Sequence, residues 1–254
     1  MIKELATVLS QESIAAGIYS LVLKVSFAED VIPGQFVSLY SKDASRLLPR
    51  PISICESSAE EGTIRLVYRI AGAGTSEFSK LIAGEKIEVL GPLGNGFPVK
   101  EYAESRVLLV GGGIGIPPLL SCARKLTEKT FAVGYRSETY LLADLESEAA
   151  VHVATEDGSL GTPGNVLDAI KADDVKADVI FSCGPKPMLR ALKAYAAEVG
   201  IPCYVSMEER MACGIGACLA CVCKTTGIDG HSHVHNTRIC KDGPVFLAEE
   251  VDLT

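Results

Sequence analysis

The sequence predicts an α+β multidomain chain of three parts: an antiparallel β-barrel over residues 1–102, a parallel α/β domain over 103–205 and a C-terminal cysteine-bearing loop segment over 206–254. Three observations predict it. Short apolar or alternating runs rich in β-branched residues, broken by Gly and Pro, fill the first part. From Ser105, buried-type strands alternate with helical patterns, as a doubly wound sheet requires. From Ser206 little helix or strand pattern remains, and Cys213, Cys218, Cys221 and Cys223 crowd into "ACGIGACLACVCK".

Composition bounds the function. The chain has 254 residues, 48% hydrophobic and 22% charged, which suits a core-forming globular protein with room for two domains. A net charge of −8 argues against nucleic acid or an anionic membrane as partner. The start "MIKELATVLSQ" has no apolar signal region. The most apolar stretch, "VLLVGGGIGIPPLLSCA", is short for a membrane span and is broken by glycines and prolines. The expectation is a cytoplasmic protein whose 9 cysteines are reduced, so that a tight group of them serves metal or redox chemistry.

In the first part, "GIYSLVLKV", "GQFVSLYS" and "TIRLVYRIAG" read as strands, with turns at "IPGQ", "AGAG" and "LGPLGNGFP". "TSEFSKLIAGE" reads as one helix, N-capped by Thr75 or Ser76 and ending at Gly84. In "LLPRPISICE", Arg50 can pair a phosphate and Ser53 can reach a flavin ring nitrogen. Gly72 and Gly74 lead into the helix start at Thr75, a place for a pyrophosphate.

The second part opens with "RVLLVGGGIGIPPLLSCARKL": strand, glycine turn, helix begun by Pro117 or Pro118. Gly111, Gly112, Gly113 and Gly115 are candidates for binding a nucleotide phosphate. Ile116 breaks the G-x-G-x-x-G pattern, so a glycine turn without ligand is the plain alternative. "FSCGPKPM" puts Cys183, Gly184 and Pro185 between a strand and a helix, at the carboxyl edge where such sheets bind ligands. Glu138 suits ribose hydroxyls and Arg136 a 2′-phosphate, which leaves NAD and NADP both open.

Cys213-x4-Cys218-x2-Cys221 with a distant Cys240 is the plant-type [2Fe–2S] spacing. Gly214, Gly216, Ala217 and Ala220 allow the backbone to wrap closely around a cluster. Zinc is the alternative, but structural zinc sites use two separated knuckles. Cys223 reads as a small buried hydrophobe. "HSHVH" (His231, His233, His235) reads as a solvated loop before it reads as a metal tract.

"RPISI", "GGGIGIPPL", "CGPKPM" and "MEERMACGIGACLACVC", in this order, resemble the ferredoxin–NAD(P)+ reductase-like flavoproteins. More narrowly they resemble the family of electron transfer subunits of NAD-dependent dihydroorotate dehydrogenase B. The resemblance covers nearly the whole chain. It implies FAD contacts at Arg50, Pro51, Ile52, Ser53, Val67, Tyr68, Arg69, Gly74 and Thr75. It implies a [2Fe–2S] cluster on Cys213, Cys218, Cys221 and Cys240, and NAD as electron acceptor. It also implies an FMN-containing catalytic partner in a two-plus-two heterotetramer of pyrimidine (UMP) biosynthesis. Ile52 stands where the wider superfamily often has Tyr, and "GIDGHSHVH" lengthens the Cys221–Cys240 gap. The other readings are an NAD(P)H-linked ferredoxin reductase or hydrogenase-type flavoprotein subunit, and a zinc-stabilised binding module.

Overall fold

The computed structural model describes residues 1–228 and 233–253. Six antiparallel strands, β1 (Ile2–Ala15), β2 (Ile18–Lys24), β3 (Phe36–Leu39), β4 (Arg50–Ser58), β5 (Thr63–Arg69) and β6 (Lys86–Leu93), close into a barrel in the order β1-β2-β5-β4-β3-β6. The period of two does the sorting. Ile64, Leu66 and Tyr68 of β5 enter the barrel core with Leu21, Leu23 and Ile54. Val67 and Cys55 turn outward into a second core shared with the α/β domain.

The helix between β5 and β6 differs from the expected one. It is α1 (Ala73–Phe78), N-capped by Gly72, so Thr75 lies inside it at the third position and not at its cap. It stops well before Gly84 because Phe78 and Leu81 both bury in the barrel core, which turns the chain inward at that point.

The second unit runs β7 (Arg106–Gly112), α2 (Pro117–Ala123), β8 (Glu128–Tyr135), α3 (Leu142–Glu146), β9 (Ala150–Thr155), β10 (Thr162–Pro163), α4 (Val166–Ala172), β11 (Val179–Cys183), α5 (Lys186–Val199) and β12 (Cys203–Ser206). These strands are parallel to their neighbours, in the order β10-β9-β8-β7-β11-β12. The chain builds outward from β7 through β8 and β9, then returns to β7's other side with β11. That reversal puts the carboxyl ends of β7 and β11 side by side, with Gly111 opposite Cys183. Such a switch point is where open α/β sheets bind ligands.

The C-terminal segment has more strand than its pattern shows. β13 (Val222–Lys224) and β14 (Asn236–Arg238) form an antiparallel ribbon, and β15 (Val245–Leu247) adds to β12 as an antiparallel edge strand. Each is three residues long, too short for a period of two to declare itself. Phe246 of β15 and Phe36, Leu90 and Leu93 of the barrel share one core with Cys221, Cys223 and Cys240. The cysteine segment is thus wedged between the barrel and the sheet. Among the described residues no helix is long and apolar enough to cross a membrane.

Candidate functional site

The first candidate site is a gap in the barrel wall. β4 pairs with β3 from Arg50 to Ser53, but its pairing with β5 begins only at Ile54, opposite Leu66. Beyond Leu66, β5 continues along β2 alone. Arg50–Ser53 and Val67–Arg69 therefore flank a splayed slot. Ile52 packs on the barrel core, and Ser53, one residue on, faces the opposite side with Cys55. Tyr68 points into the barrel, where Gln11 Nε2 donates to its hydroxyl at 2.9 Å. Burial pushes the phenol up to about 12. The Arg50 side chain lies across Gly74, where a Cβ would come within 2.7 Å of Arg50 Nε and push that side chain aside. The Thr75 hydroxyl accepts from the N–H groups of Ala71 (2.8 Å) and Gly72 (3.2 Å) and donates to the Gly72 carbonyl. That hydroxyl closes its own turn, and the six-residue helix offers a weak dipole. The cation at this end is Arg50.

The second site is a cavity of about 820 Å³ at the sheet's switch point, within the range of cofactor pockets. Gly112, Gly113 and Gly115 line it from one side, Gly184, Pro185 and Met188 from another, and Arg136 and Glu138 from the end of β8. The glycines divide. A Cβ on Gly111 would lie 2.7 Å from Ile116 Cγ1, and one on Gly112 2.7 Å from Met188 Sδ; one on Gly115 would strike the Cys183 carbonyl. Packing alone explains these three, and Gly111 does not line the cavity. Gly113 has φ +52°, lines the cavity and has open space around it, so no packing contact accounts for glycine there. Ile116 is fully buried under Gly111. It fits at the position of the third small residue because α2 approaches β7 at the glycine instead. Cys183 is also buried, away from the cavity wall, and burial pushes its thiol up to about 12.

The barrel also lines this cavity, through Ala16, Ile18 and Arg69. Arg69 thus belongs to the cavity rather than to the slot alone. Ala16 and Ile18 carry no signal in the sequence, because nothing local marks a hairpin turn that meets a domain far along the chain. Glu138 Oε2 accepts the Ala16 N–H at 3.1 Å, which ties the cavity's rim to the barrel.

The third site is the cysteine loop. Cys213 Sγ accepts from the N–H groups of Ile215 (3.5 Å) and Cys218 (3.4 Å), Cys240 Sγ from Gly216 (3.1 Å) and Cys221 Sγ from Cys240 (3.4 Å). Gly216 has φ +85° and a Cβ there would meet Lys241 Cβ at 2.8 Å, so only glycine can aim that N–H at the sulfur. Two of these bonds link the cysteines two by two: Cys218 N–H to Cys213 Sγ, and Cys240 N–H to Cys221 Sγ. Burial raises Cys213, but the N–H groups of Ile215, Cys218 and Ala217 and the Cys218 thiol outweigh it and bring it down to about 6. Burial and the Cys221 sulfur push Cys240 up to about 12. Cys223, on β13, is buried among apolar neighbours and raised to about 11, chiefly by that burial.

Among the described residues no three His, Cys, Asp or Glu side chains converge as a single ion requires. Two pairs of thiols fit the two irons of a [2Fe–2S] cluster, each held by two cysteines, better than one tetrahedral zinc. The N–H groups aimed at sulfur are the donors that stabilise cluster thiolates. His231 lies outside the described residues; His233 and His235 are exposed.

The model of the oxidoreductase FAD-binding domain family matches residues 5–97. That of the iron–sulfur cluster binding domain of dihydroorotate dehydrogenase B matches residues 208–252. The chain is 44% identical over 253 residues to the dihydroorotate dehydrogenase B (NAD(+)) electron transfer subunit of Listeria innocua, covering 97% of both chains. It is 44% identical over 260 residues to that of Geobacillus kaustophilus, covering 99% of both. Among solved structures, it superposes with a TM-score of 0.86 on a chain from the NADH-dependent reduced ferredoxin-NADP oxidoreductase, at 30% identity, covering 98% of this chain and 90% of that one. This chain belongs to the family of dihydroorotate dehydrogenase B (NAD(+)) electron transfer subunits.

Proposed function

We propose that this chain takes electrons from an FMN-containing dihydroorotate dehydrogenase partner at its cysteine loop and delivers them through the barrel slot to NAD+ in the switch-point cavity. A [2Fe–2S] cluster carries single electrons, and FAD joins that one-electron traffic to two-electron hydride chemistry at nicotinamide.

The residues divide the work. Cys213 and Cys218 hold the outer side of the cluster and Cys221 and Cys240 the buried side; Cys218 is exposed, so the outer side can meet a partner. Ile215 and Leu219, at 45% and 60% exposure beside Cys218, supply apolar surface for that contact. Arg50 neutralises the FAD pyrophosphate. Ser53, on the side facing the α/β domain, hydrogen-bonds the flavin ring. Ile52 packs on the barrel core beneath the slot. Gly113 presents backbone to the dinucleotide pyrophosphate, while Gly184 and Pro185 bound the nicotinamide end. Arg69 joins the two sites, since it ends β5 at the slot and lines the cavity.

The observation that carries this reading is the set of backbone N–H groups aimed at the sulfurs of Cys213, Cys221 and Cys240, in a loop seated against the barrel: a Cβ on Gly214 would lie 3.0 Å from Ser38 Oγ on β3. The test is to purify the chain alone. It should contain FAD, iron and acid-labile sulfide, oxidise NADH with an artificial acceptor, and show no dihydroorotate activity until the FMN subunit is added. Dihydroorotate-dependent NAD+ reduction by the isolated chain would overturn the subunit reading. The partner complex should have two copies of each chain. The second reading, a ferredoxin-linked reductase, is favoured by the superposition on the NADH-dependent ferredoxin-NADP oxidoreductase. It predicts failure to co-purify with the FMN enzyme.

A further inference from the structure

The slot and the cavity lie on different units, and the reading above requires hydride to pass between them. A misplacement of about 1 Å can cost on the order of a hundredfold in such a step. The apolar layer between the units, Ile18, Cys55 and Val67 against Ile116, Leu119 and Leu120, is non-directional and does not by itself fix an orientation. A charged network that crosses the same interface does. Arg65 on β5 donates through Nη1 to Glu56 Oε2 on β4 at 2.8 Å and through Nε to Ser20 Oγ on β2 at 3.0 Å. Its Nη1 and Nη2 both reach Asp144 Oδ2 on α3 at 3.2 Å. In the opposite sense, Arg124, just past α2, pairs with Glu56 and, at 3.0 Å, with Glu148. A barrel arginine grips an α/β carboxylate, and an α/β arginine grips a barrel carboxylate. Glu56 is shared, and Arg65 and Glu56 side chains are only 21% and 14% exposed.

We propose that this network is a two-point clamp that sets the orientation of the nicotinamide domain on the flavin barrel, with Arg65 as its positioning residue. Isolated exposed ion pairs contribute little. Here a planar fork, already held on the barrel by Ser20 and Glu56, is aimed at Asp144, and a reciprocal pair prevents rotation about that contact. The clamp therefore acts first on the rate of hydride passage; Ala16 and Glu138 line the cavity, so its loss reaches NADH affinity only through that rim contact. The Ala16 N–H, held by Glu138 across the same interface, is a built-in reporter of its closure.

This inference rests on the functional reading above, and its test separates the two. The FAD-loaded chain, as wild type, Arg65→Lys and Asp144→Asn, is mixed with NADH in stopped flow, and amide exchange is followed at Ala16, Leu21 and Leu66. Arg65→Lys keeps the charge and loses the fork; Asp144→Asn changes a partly exposed side chain and carries the test if the first variant does not fold. Expected is a fall of about tenfold or more in the limiting rate of flavin reduction. FAD content should be unchanged and any loss of NADH affinity should be smaller than the loss of rate, with faster exchange at Ala16 but not at Leu21 or Leu66. A limiting rate equal to wild type, or exchange that rises evenly through the barrel, would overturn the clamp. If NADH fails to reduce the wild-type flavin, the functional reading falls, while exchange at Ala16 still decides whether the clamp exists.

Discussion

At the scale of single residues, two groups of like residues prove to be unlike. Cys223 and Cys240 are both buried near Cys221, yet among the described residues it is Cys240 whose sulfur accepts the Gly216 N–H of the loop and whose own N–H donates to Cys221 Sγ. Cys240→Ser should therefore lose the cluster, and Cys223→Ala should keep it. Visible absorbance with iron and sulfide analysis checks both, and a bleached Cys223→Ala beside an intact Cys240→Ser would reverse the assignment. The glycines of "GGGIG" differ in the same way. Gly115→Ala drives a methyl into the Cys183 carbonyl and should unfold the turn, seen as lost soluble expression or a collapsed melting temperature. Gly113→Ala meets only the left-handed backbone cost of about 1–2 kcal/mol. It should fold and show weakened NADH binding in titration. Equal behaviour of the two variants would remove the case for Gly113 as the ligand-facing residue.

At the scale of elements, the switch point depends on β7 and β11 staying in register. Arg106 and Asp178 lock their amino-terminal ends: Arg106 N and Nε donate to Asp178 Oδ2 at 2.9 and 3.2 Å, and Nη2 to Oδ1 at 2.6 Å. These bonds lower the Asp178 carboxyl to about 2. A carboxyl lowered on folding stabilises fully above its ordinary value of 3.8 and loses that contribution as pH falls toward about 2. Asp178 should titrate near 2 by NMR, and Arg106→Ala should return it to near 3.8; an unmoved midpoint would refute the lock. β15 ties the cysteine segment to the sheet through Phe246, whose ring leaves no room for a Cβ on Gly243. Phe246→Ala should cost about 3–5 kcal/mol in denaturant unfolding and make the cluster labile. A retained cluster with unchanged stability would show that β15 is dispensable.

Across the whole molecule, three sites meet without merging. The cavity wall contains none of the four cluster cysteines, while the barrel borders all three sites. Iron stripped by chelator should abolish transfer from the FMN partner and leave NADH-driven flavin reduction intact. Loss of both together would show that the cluster loop also builds the nucleotide site. The family, the barrel-plus-sheet architecture and both cofactor types were legible in the sequence. Their signals are local: a cysteine spacing, a glycine turn after a strand, a period of two. The true start of α1, the split among the glycines and the strand character of the tail were not. Each depends on what packs against the residue from elsewhere in the chain: Phe78 and Leu81 in the barrel, Met188 and Cys183 beside the turn, β12 beside β15.

By itself the sequence determined which chemistry this protein carries, because cluster ligation and phosphate binding demand particular residue types at short fixed spacings. Only the tertiary structure decided how that chemistry is arranged. It linked the cysteines two by two, placed Arg69 at the switch-point cavity, closed the Thr75 hydroxyl onto its own turn, and brought Arg65 to Asp144 and Ala16 to Glu138. Those contacts join residues between 3 and 122 positions apart. Most of them form only after two separately patterned units have folded and closed on each other, and no local pattern encodes the geometry of that closure.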